Sequence, residues 1–595
     1  MNWDPFVNLC LGFIGWNGLL SLYQLNLDYY IIHRGGIFLW PFKKTVQPTL
    51  NIIEPIKKTN YTKDTDKIVE GLFEGQYFLI KSLEVLDFKK GIDWNYQHHS
   101  GANTYQLYLH SLETIHHLCN HYEKKKDKKS LKKAYEILQD WAKHDEAHPK
   151  ENYRSRWSDH ATATRALAII YLYTSAVDVI KINEELIYNL LLKHARFLND
   201  DQNYRKNNHG IMVDRALLSI ALVLSEYPEA EHWKEKAIYR VREAFNRDFS
   251  YKNVHLENSP DYHSMVMRLI QSVESFLVKN NLTLGKDIVE RLEQADDYFH
   301  YFLKPNLKVP TIGDTSSGHL KRKKKKFDSF IDEEAGIAIL QDEHEEPERS
   351  TWLSFICGYG SKTHKHFDDL SFNLFYNGKD IFVDSGKYNY VKSDKIRQYV
   401  LSPIAHNTLA IDGKEYKLGD PLVYRDKIKI TGYHKTLHYE LIQGENKAYN
   451  GAKLKRTLIF FKPDVIIIFD QAVSDEDQKF LQLYNLAPHI EILETKDNYA
   501  KIKSGADIIE IEQLLGTSSV TSFQADRTEP RAIMSERFNE LIDISQLEFS
   551  KTGENVNYLT MISFGNEQSI QGVTFDETSK ILTLNKDGKK LDIAL

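Results

Sequence analysis

The segment Thr363-His364-Lys365-His366-Phe367-Asp368-Asp369-Leu370-Ser371-Phe372 holds the side chains best suited to chemistry. On an extended backbone, residues two apart face the same way, so His364 and His366 share a side. Asn377-Gly378 then separates two alternating runs. Asn-Gly suits a two-residue hairpin turn, whose central residues both need positive φ. The returning strand ends in Val383-Asp384-Ser385-Gly386 and brings Asp384 back toward His366. His406 precedes a further alternating run, Leu409-Ala410-Ile411-Asp412-Gly413. Two histidines and an aspartate are a plausible zinc set with a fourth position for water or another ligand. The same residues also suit a hydrogen-bonded surface cluster, and spacing alone leaves both readings open.

Two further clusters fall at expected helix starts. One is Trp94-Asn95-Tyr96 with His98-His99; the other is Arg154-Ser155-Arg156-Trp157 with Asp159-His160 and Arg165. Tyr96, Trp157 and Arg165 are expected to line subsites for sugars and carboxylates, although a structural role fits them as well. The sequence contains no P-loop, GxGxxG, GxSxG or HExxH motif.

The elements that must position these residues change character along the chain. In the first half, apolar residues recur every three or four positions, as in Leu109, Leu112, Ile115 and Cys119, or Trp233, Ala237, Ile238, Val241 and Phe245. Short loops between such stretches predict antiparallel helical hairpins, and about 300 residues of them suggest a helical barrel or toroid. Pro310-Thr311-Ile312-Gly313-Asp314 reads as a breaker, followed by the basic run Lys321–Lys326. That run suits a solvated loop or a contact for an anionic substrate. Period-2 patterns follow, including a second hairpin around Lys462-Pro463-Asp464, and predict an antiparallel β-sandwich.

Composition bounds the rest. A chain of 595 residues suits two or three domains. A net charge of −6 argues against a general nucleic-acid binder. Three distant cysteines give no disulfide framework. Phe6 to Leu25 is apolar but polar-punctuated and lacks a positive leader, so it reads as a buried amphipathic helix and not a signal. No run approaches the ~20 apolar residues of a membrane span.

Taken together, three strings resemble the C-terminal domain of heparinase II/III-type polysaccharide lyases. They are His-Lys-His-Phe-Asp-Asp-Leu-Ser-Phe from His364, Val-Asp-Ser-Gly-Lys-Tyr-Asn-Tyr from Val383, and His-Asn-Thr-Leu-Ala-Ile-Asp-Gly from His406. The resemblance implies an α+β multidomain chain. An N-terminal helical extension (1–70) would precede an incomplete (α/α) toroid (71–312), a linker (313–335) and a β-sandwich (336–595). It implies a cleft role for His364. It also implies a mainly structural divalent metal, usually zinc and sometimes calcium, held by His366, Asp384 and His406. Asn207-Asn208-His209-Gly210 and Ser259-Pro260-Asp261-Tyr262-His263 are similar to cleft segments of related alginate and heparin lyases. Asn208, His209 and Tyr262 are thereby expected to be catalytic, and His263 to contact substrate. Ser259 suits an N-cap and Pro260 the first helical position. Tyr262 would then sit where the helix dipole favours an anionic phenol.

The implied reaction is β-elimination on a uronate-containing acidic polysaccharide. The C5 proton is weakly acidic beside a charged carboxylate, so donors such as Asn208 and His364 must stabilise the developing charge. His209 or Tyr262 would take the proton, and Tyr262 would protonate the leaving oxygen. Two other readings stay open: a uronate C5-epimerase on the same scaffold, or a non-catalytic polysaccharide-binding protein. Localisation is left open between a chain without a leader and mostly exported relatives.

Overall fold

A computed structural model describes residues 49–99, 103–320, 323–565 and 570–595, and the backbone of 32–33 and 36–37. Two compact units divide the chain, 1–49 and Leu50–Leu595. In the first, Ile32–His33 pairs antiparallel with Gly36–Ile37. The helix expected over Phe6–Leu25 lies outside the described residues.

The second unit begins without helix. The expected N-terminal helical extension is irregular from residue 50 until the helix Thr65–Phe73. Helices then continue to Lys286–Phe302. In Lys128–Ala147, Asp127 caps the first turn by accepting from the Lys129 N–H, and Leu131, Ala134, Leu138 and Trp141 are buried at helical spacing. Asp159–Ala176 differs, because it is buried almost all round. It packs against the helices Thr104–Ser111, Glu184–Asn199 and Asn208–Val223 and forms the middle of the helical region.

A large antiparallel sheet follows. The first hairpin forms as expected: Ser371–Tyr376 pairs with Lys379–Phe382, and Asn377 and Gly378 have φ of +47° and +84°. The second joins Ala452–Phe461 to Val465–Leu486. Val465–Leu486 also pairs along much of its length with Ser545–Phe564, and together they form the spine. Side chains alternate across this spine: Ile466 and Ile468 enter one core, Val465, Ile467 and Phe469 another.

A third core joins helix to sheet. Tyr298, Phe299 and Phe302 pack with Ile337, Ile339, Trp352 and Phe375. Residues 313–335 are accordingly not a free linker. Asp314 and Thr315 are buried, and Phe330–Asp332 is already a strand. Within the described part of the basic run, two lysines are held by the preceding helix. Lys323 pairs with Asp296, and Lys325 donates to the carbonyl of Tyr301 (2.7 Å), where a helix C-terminus favours a cation.

Candidate active site

The helix Pro260–Lys279 starts the site. Ser259 occupies its cap position and Pro260 its first turn. The Ser259 hydroxyl does not cap the helix, however. It donates to the Asp314 carbonyl (3.0 Å) and meets the Thr315 hydroxyl (2.9 Å), which fastens residues 310–315 to the turn before Tyr262. Gly313 permits the approach: its φ is +55°, and a Cβ would lie 2.5 Å from the Asn258 carbonyl oxygen. Asn258 in turn donates its amide to the carbonyls of Ser361 (2.9 Å) and Thr363 (3.0 Å), tying in the segment that bears His364.

Three segments therefore meet at Asp314. Its buried carboxylate accepts from His364 Nδ1 (2.8 Å), His366 Nε2 (3.0 Å) and the two Nη atoms of Arg397 (2.7 and 3.1 Å). Burial alone would raise this carboxyl, but the His364 and His366 hydrogen bonds and Arg397 hold it well below the usual range. His364 has a φ of +56°, a left-handed conformation that costs energy for a residue with a side chain. The Tyr262 ring stacks on its imidazole, centroids 3.5 Å apart and planes at 25°. The Tyr262 hydroxyl lies 3.3 Å from that of Tyr390. The expected lowering of the Tyr262 phenol does not occur. Burial pushes it up, the charges of Asp314 and Glu257 add to this, and only the Tyr390 hydrogen bond opposes them. The protonated form of the phenol is thereby favoured.

His366, Asp384 and His406 are all buried and place one donor atom each within 4.8 Å of one another. Asp384 Oδ2 accepts from His406 Nδ1 at 2.8 Å. Two ring nitrogens, His366 Nδ1 and His406 Nε2, are buried with no hydrogen-bond partner. Orphaned buried nitrogens are costly, and a metal ion fits as the partner of both. The group could therefore hold a metal, with Asp314 orienting His366 through its other nitrogen.

The helix Asn208–Val223 carries the second constellation. The Asn207 side chain caps it by accepting from the His209 N–H (3.0 Å), which leaves Asn208 and His209 in the first turn. His209 Nδ1 lies 3.2 Å from Asp159 Oδ2 on the central helix, and Arg205 Nε lies 3.4 Å from the same oxygen. Burial opposes ionisation of Asp159, but His209 and the His160 N–H hold its carboxyl below the ordinary value. The histidine side chain is 34% exposed. A Cβ on Gly210 would sit 2.4 Å from the Arg205 carbonyl oxygen, so Asn-His-Gly needs its glycine for the loop to close on the helix.

Residues 38–337 match the heparinase II/III N-terminus, and residues 325–564 match the heparinase II/III-like C-terminal domain. The chain belongs to the heparinase II/III family. By that membership it is an enzyme of the polysaccharide-lyase class. It is 20% identical over 544 residues to a heparin-sulfate lyase of Bacteroides thetaiotaomicron, covering 81% of this chain and 76% of the relative. A heparin-sulfate lyase of Bacteroides stercoris is 18% identical over 326 residues, 49% of this chain and 47% of that one. The fold matches the crystal structure of heparan sulfate lyase HepC from Pedobacter heparinus (TM-score 0.71, 16% identity, 92% of this chain and 90% of that one). It also matches a crystal structure of heparinase III (TM-score 0.73, 17% identity, 92% and 93%).

Within this heparinase II/III chain, three residues expected to touch substrate lie in the core instead. Trp157 is buried and donates its indole N–H to Asp145 (2.8 Å). Arg165 is fully buried. It donates to His194 Nε2 (2.8 Å) and to the carbonyls of His110 (2.6 Å) and Arg156 (2.9 Å), and lies over the Trp141 ring. His263 accepts from the His255 N–H (3.1 Å) and donates to the Ala295 carbonyl (2.8 Å), and burial pushes it down to about 4. Their polar contacts are made within the core, apart from one buried guanidinium nitrogen of Arg165 that finds no partner, and they hold the helices together. Tyr96 is half-buried, edge-on to Phe88.

Sequence reasoning missed Asp314, Arg397 and the pairing of Asp159 with His209, and gave Tyr390 no role. The available signal was Asp314 at the end of Pro-Thr-Ile-Gly-Asp, a short breaker between the helical and the strand-rich parts of the sequence.

Proposed function

We propose that this polysaccharide lyase cleaves a uronate-containing acidic polysaccharide by β-elimination, with Asn208, His209, Tyr262 and His364 as its catalytic residues. The observation that carries the reading is the stacking of Tyr262 on His364, with His364 fixed through Nδ1 to the buried Asp314. Asn208 and His364 would donate to the uronate carboxylate and stabilise the charge that builds as the C5–H bond breaks. His209 would take the C5 proton. With Nδ1–H directed at Asp159, a neutral imidazole keeps the Nε2 lone pair for that purpose. The C5 electrons form the C4=C5 double bond and the C4–O bond breaks. Tyr262, held protonated, would supply the proton to the departing oxygen, and Tyr390 would orient its hydroxyl.

A divalent metal would be held by His366, Asp384 and His406. Two imidazole nitrogens favour zinc over calcium, which prefers oxygen donors. Bound there, it would pin the segments bearing His364, Asp384 and His406 against one another. The substrate panel should begin with heparan sulfate, because the relatives are named for it. The test is growth of the ultraviolet absorbance of unsaturated uronate on a panel of acidic polysaccharides, with Tyr262→Phe alongside. Absorbance that the variant lacks supports the reading; a fully active Tyr262→Phe protein ends the assignment.

A further inference from the structure

A cleft of about 930 Å³ opens beside the first turn of the Tyr262 helix, where Pro260 and Asp261 form its near end. Its walls come from the helices Asn208–Val223 and Pro260–Lys279, from residues 57–60 and from residues 309–320. Four of its lining residues are cationic, Lys57, Lys58, Arg215 and Arg268, against the single carboxylate of Asp261. Most of these charges are answered within the protein. Lys57 pairs with Glu123, Lys58 with Glu113 (2.9 Å), and Asp261 with Lys387 (3.2 Å).

The two arginines are not answered. Arg215 is 8% exposed, yet among the described residues no carboxylate pairs with it. Its Nε is buried without a partner, and its best contact is a long 3.5 Å approach of Nη1 to the Ser272 hydroxyl. Arg268 is exposed and likewise has no carboxylate partner among the described residues. It stands four positions before Ser272, so the two share a helix face about 5–6 Å apart and line the same cleft. Arg215 lies seven positions after Asn208 on its own helix, again on one face and about 10 Å along the axis. An arginine cannot escape burial by losing its proton, and a buried charge without a counter-charge is strongly unfavourable.

We propose that Arg215, Arg268 and Ser272 form an anion subsite that takes a sulfate or carboxylate group on a sugar unit other than the one being cleaved. The placement rests on the lyase reading above for the identity of the chain that carries the anion. Burial alone lowers the Arg215 guanidinium to about 10, consistent with a charge waiting for its partner.

The test uses the full chain and Arg215→Gln, with thermal melts in sodium sulfate, sodium glucuronate and sodium chloride at matched ionic strength. The wild type is expected to gain Tm in sulfate or in glucuronate beyond chloride, and Arg215→Gln to lose that gain. A gain in sulfate assigns the site to sulfate groups, and a gain in glucuronate alone to uronate carboxylates. Without added anion, Arg215→Gln should melt no lower than wild type, because it removes an unpaired buried charge. A lower Tm with the anion response intact would mark Arg215 as structural and overturn the proposal. So would a wild type that answers neither anion. Arg268→Gln, at an exposed position, guards against misfolding and should weaken the same response. On a cleaved polymer, Arg215→Gln should raise KM at least about tenfold with kcat little changed. An anion response without turnover on any polymer would leave the subsite standing while the lyase reading falls. Turnover with an unchanged KM in Arg215→Gln would do the reverse.

Discussion

Each half of the molecule orients one histidine through Nδ1 with a buried aspartate, His209 on Asp159 in the helical region and His364 on Asp314 against the sheet. The two aspartates are loaded differently. Asp159 is shared by His209, the His160 N–H and an exposed arginine, Arg205. Asp314 answers His364, His366 and both Nη atoms of the largely buried Arg397. The first pair is lightly braced and leaves its histidine partly exposed, which suits a group that must accept and release a proton. The second is a junction on which three segments depend, which suits a group that must hold still while a substrate carboxylate is bound. On the proposed roles, the same two-residue motif would serve proton transfer in one place and positioning in the other.

Breaking the junction should have the largest effect. Asp314→Ala leaves Arg397 and two histidines without their buried counter-charge, and losses of that kind are about 3–5 kcal/mol. Chemical denaturation should record a destabilisation of this size together with loss of turnover. Asp314→Asn keeps the shape and should recover part of the stability without restoring activity.

Next in size are the residues proposed to move protons. Tyr262→Phe should lower kcat by about 10²–10⁴ with an unchanged melt, because the phenol contributes a proton and little packing beyond its ring. His209→Gln should fall in the same range. If the roles differ as the comparison implies, His364→Gln should raise KM as well as lower kcat, whereas His209→Gln should act on kcat alone. Equal KM effects in the two variants would remove the distinction.

Metal removal should come third. Chelation, or His406→Ala, is expected to lower Tm and abolish bound zinc by elemental analysis. Protein that remains folded should keep more activity than Tyr262→Phe, since the group touches the reaction only through His366 and Asp314. A kcat as low as that of Tyr262→Phe would show that the metal group acts in the chemistry itself.

The parts of this arrangement that were legible in the sequence are those written locally. Asn377-Gly378 announced its hairpin, and Ser259-Pro260 announced the start of the Tyr262 helix. The group His366, Asp384 and His406 could be gathered because one hairpin and the following strand bring them together. A helix start was expected near Asp159, but the extent and central place of Asp159–Ala176 were not legible, because burial on every side leaves no amphipathic period to read. Trp157 and Arg165 were misjudged for a related reason: a buried arginine that donates to main-chain carbonyls looks, in sequence, like one that waits for a substrate. Asp314 was missed because its partners come from 50 to 83 residues away, and only the closure of the helical region onto the sheet brings them to it.

The smallest expected effect separates the two aspartates by pH. The folded Asp159 carboxyl lies below its ordinary value, so the group contributes stability that is complete above an unfolded value of about 3.9 and is lost as pH falls through the folded one. Asp159→Asn should therefore melt lower than wild type near neutral pH, and the gap should close as the pH drops below about 4. Arg205 adds little to this effect, because it is largely exposed and its share of the attraction is screened. A gap that persists undiminished into acid would mean that Asp159 contributes through packing and not charge. In that case its bond to His209 would orient the ring without biasing its protonation, and the contrast drawn with Asp314 would be one of geometry alone.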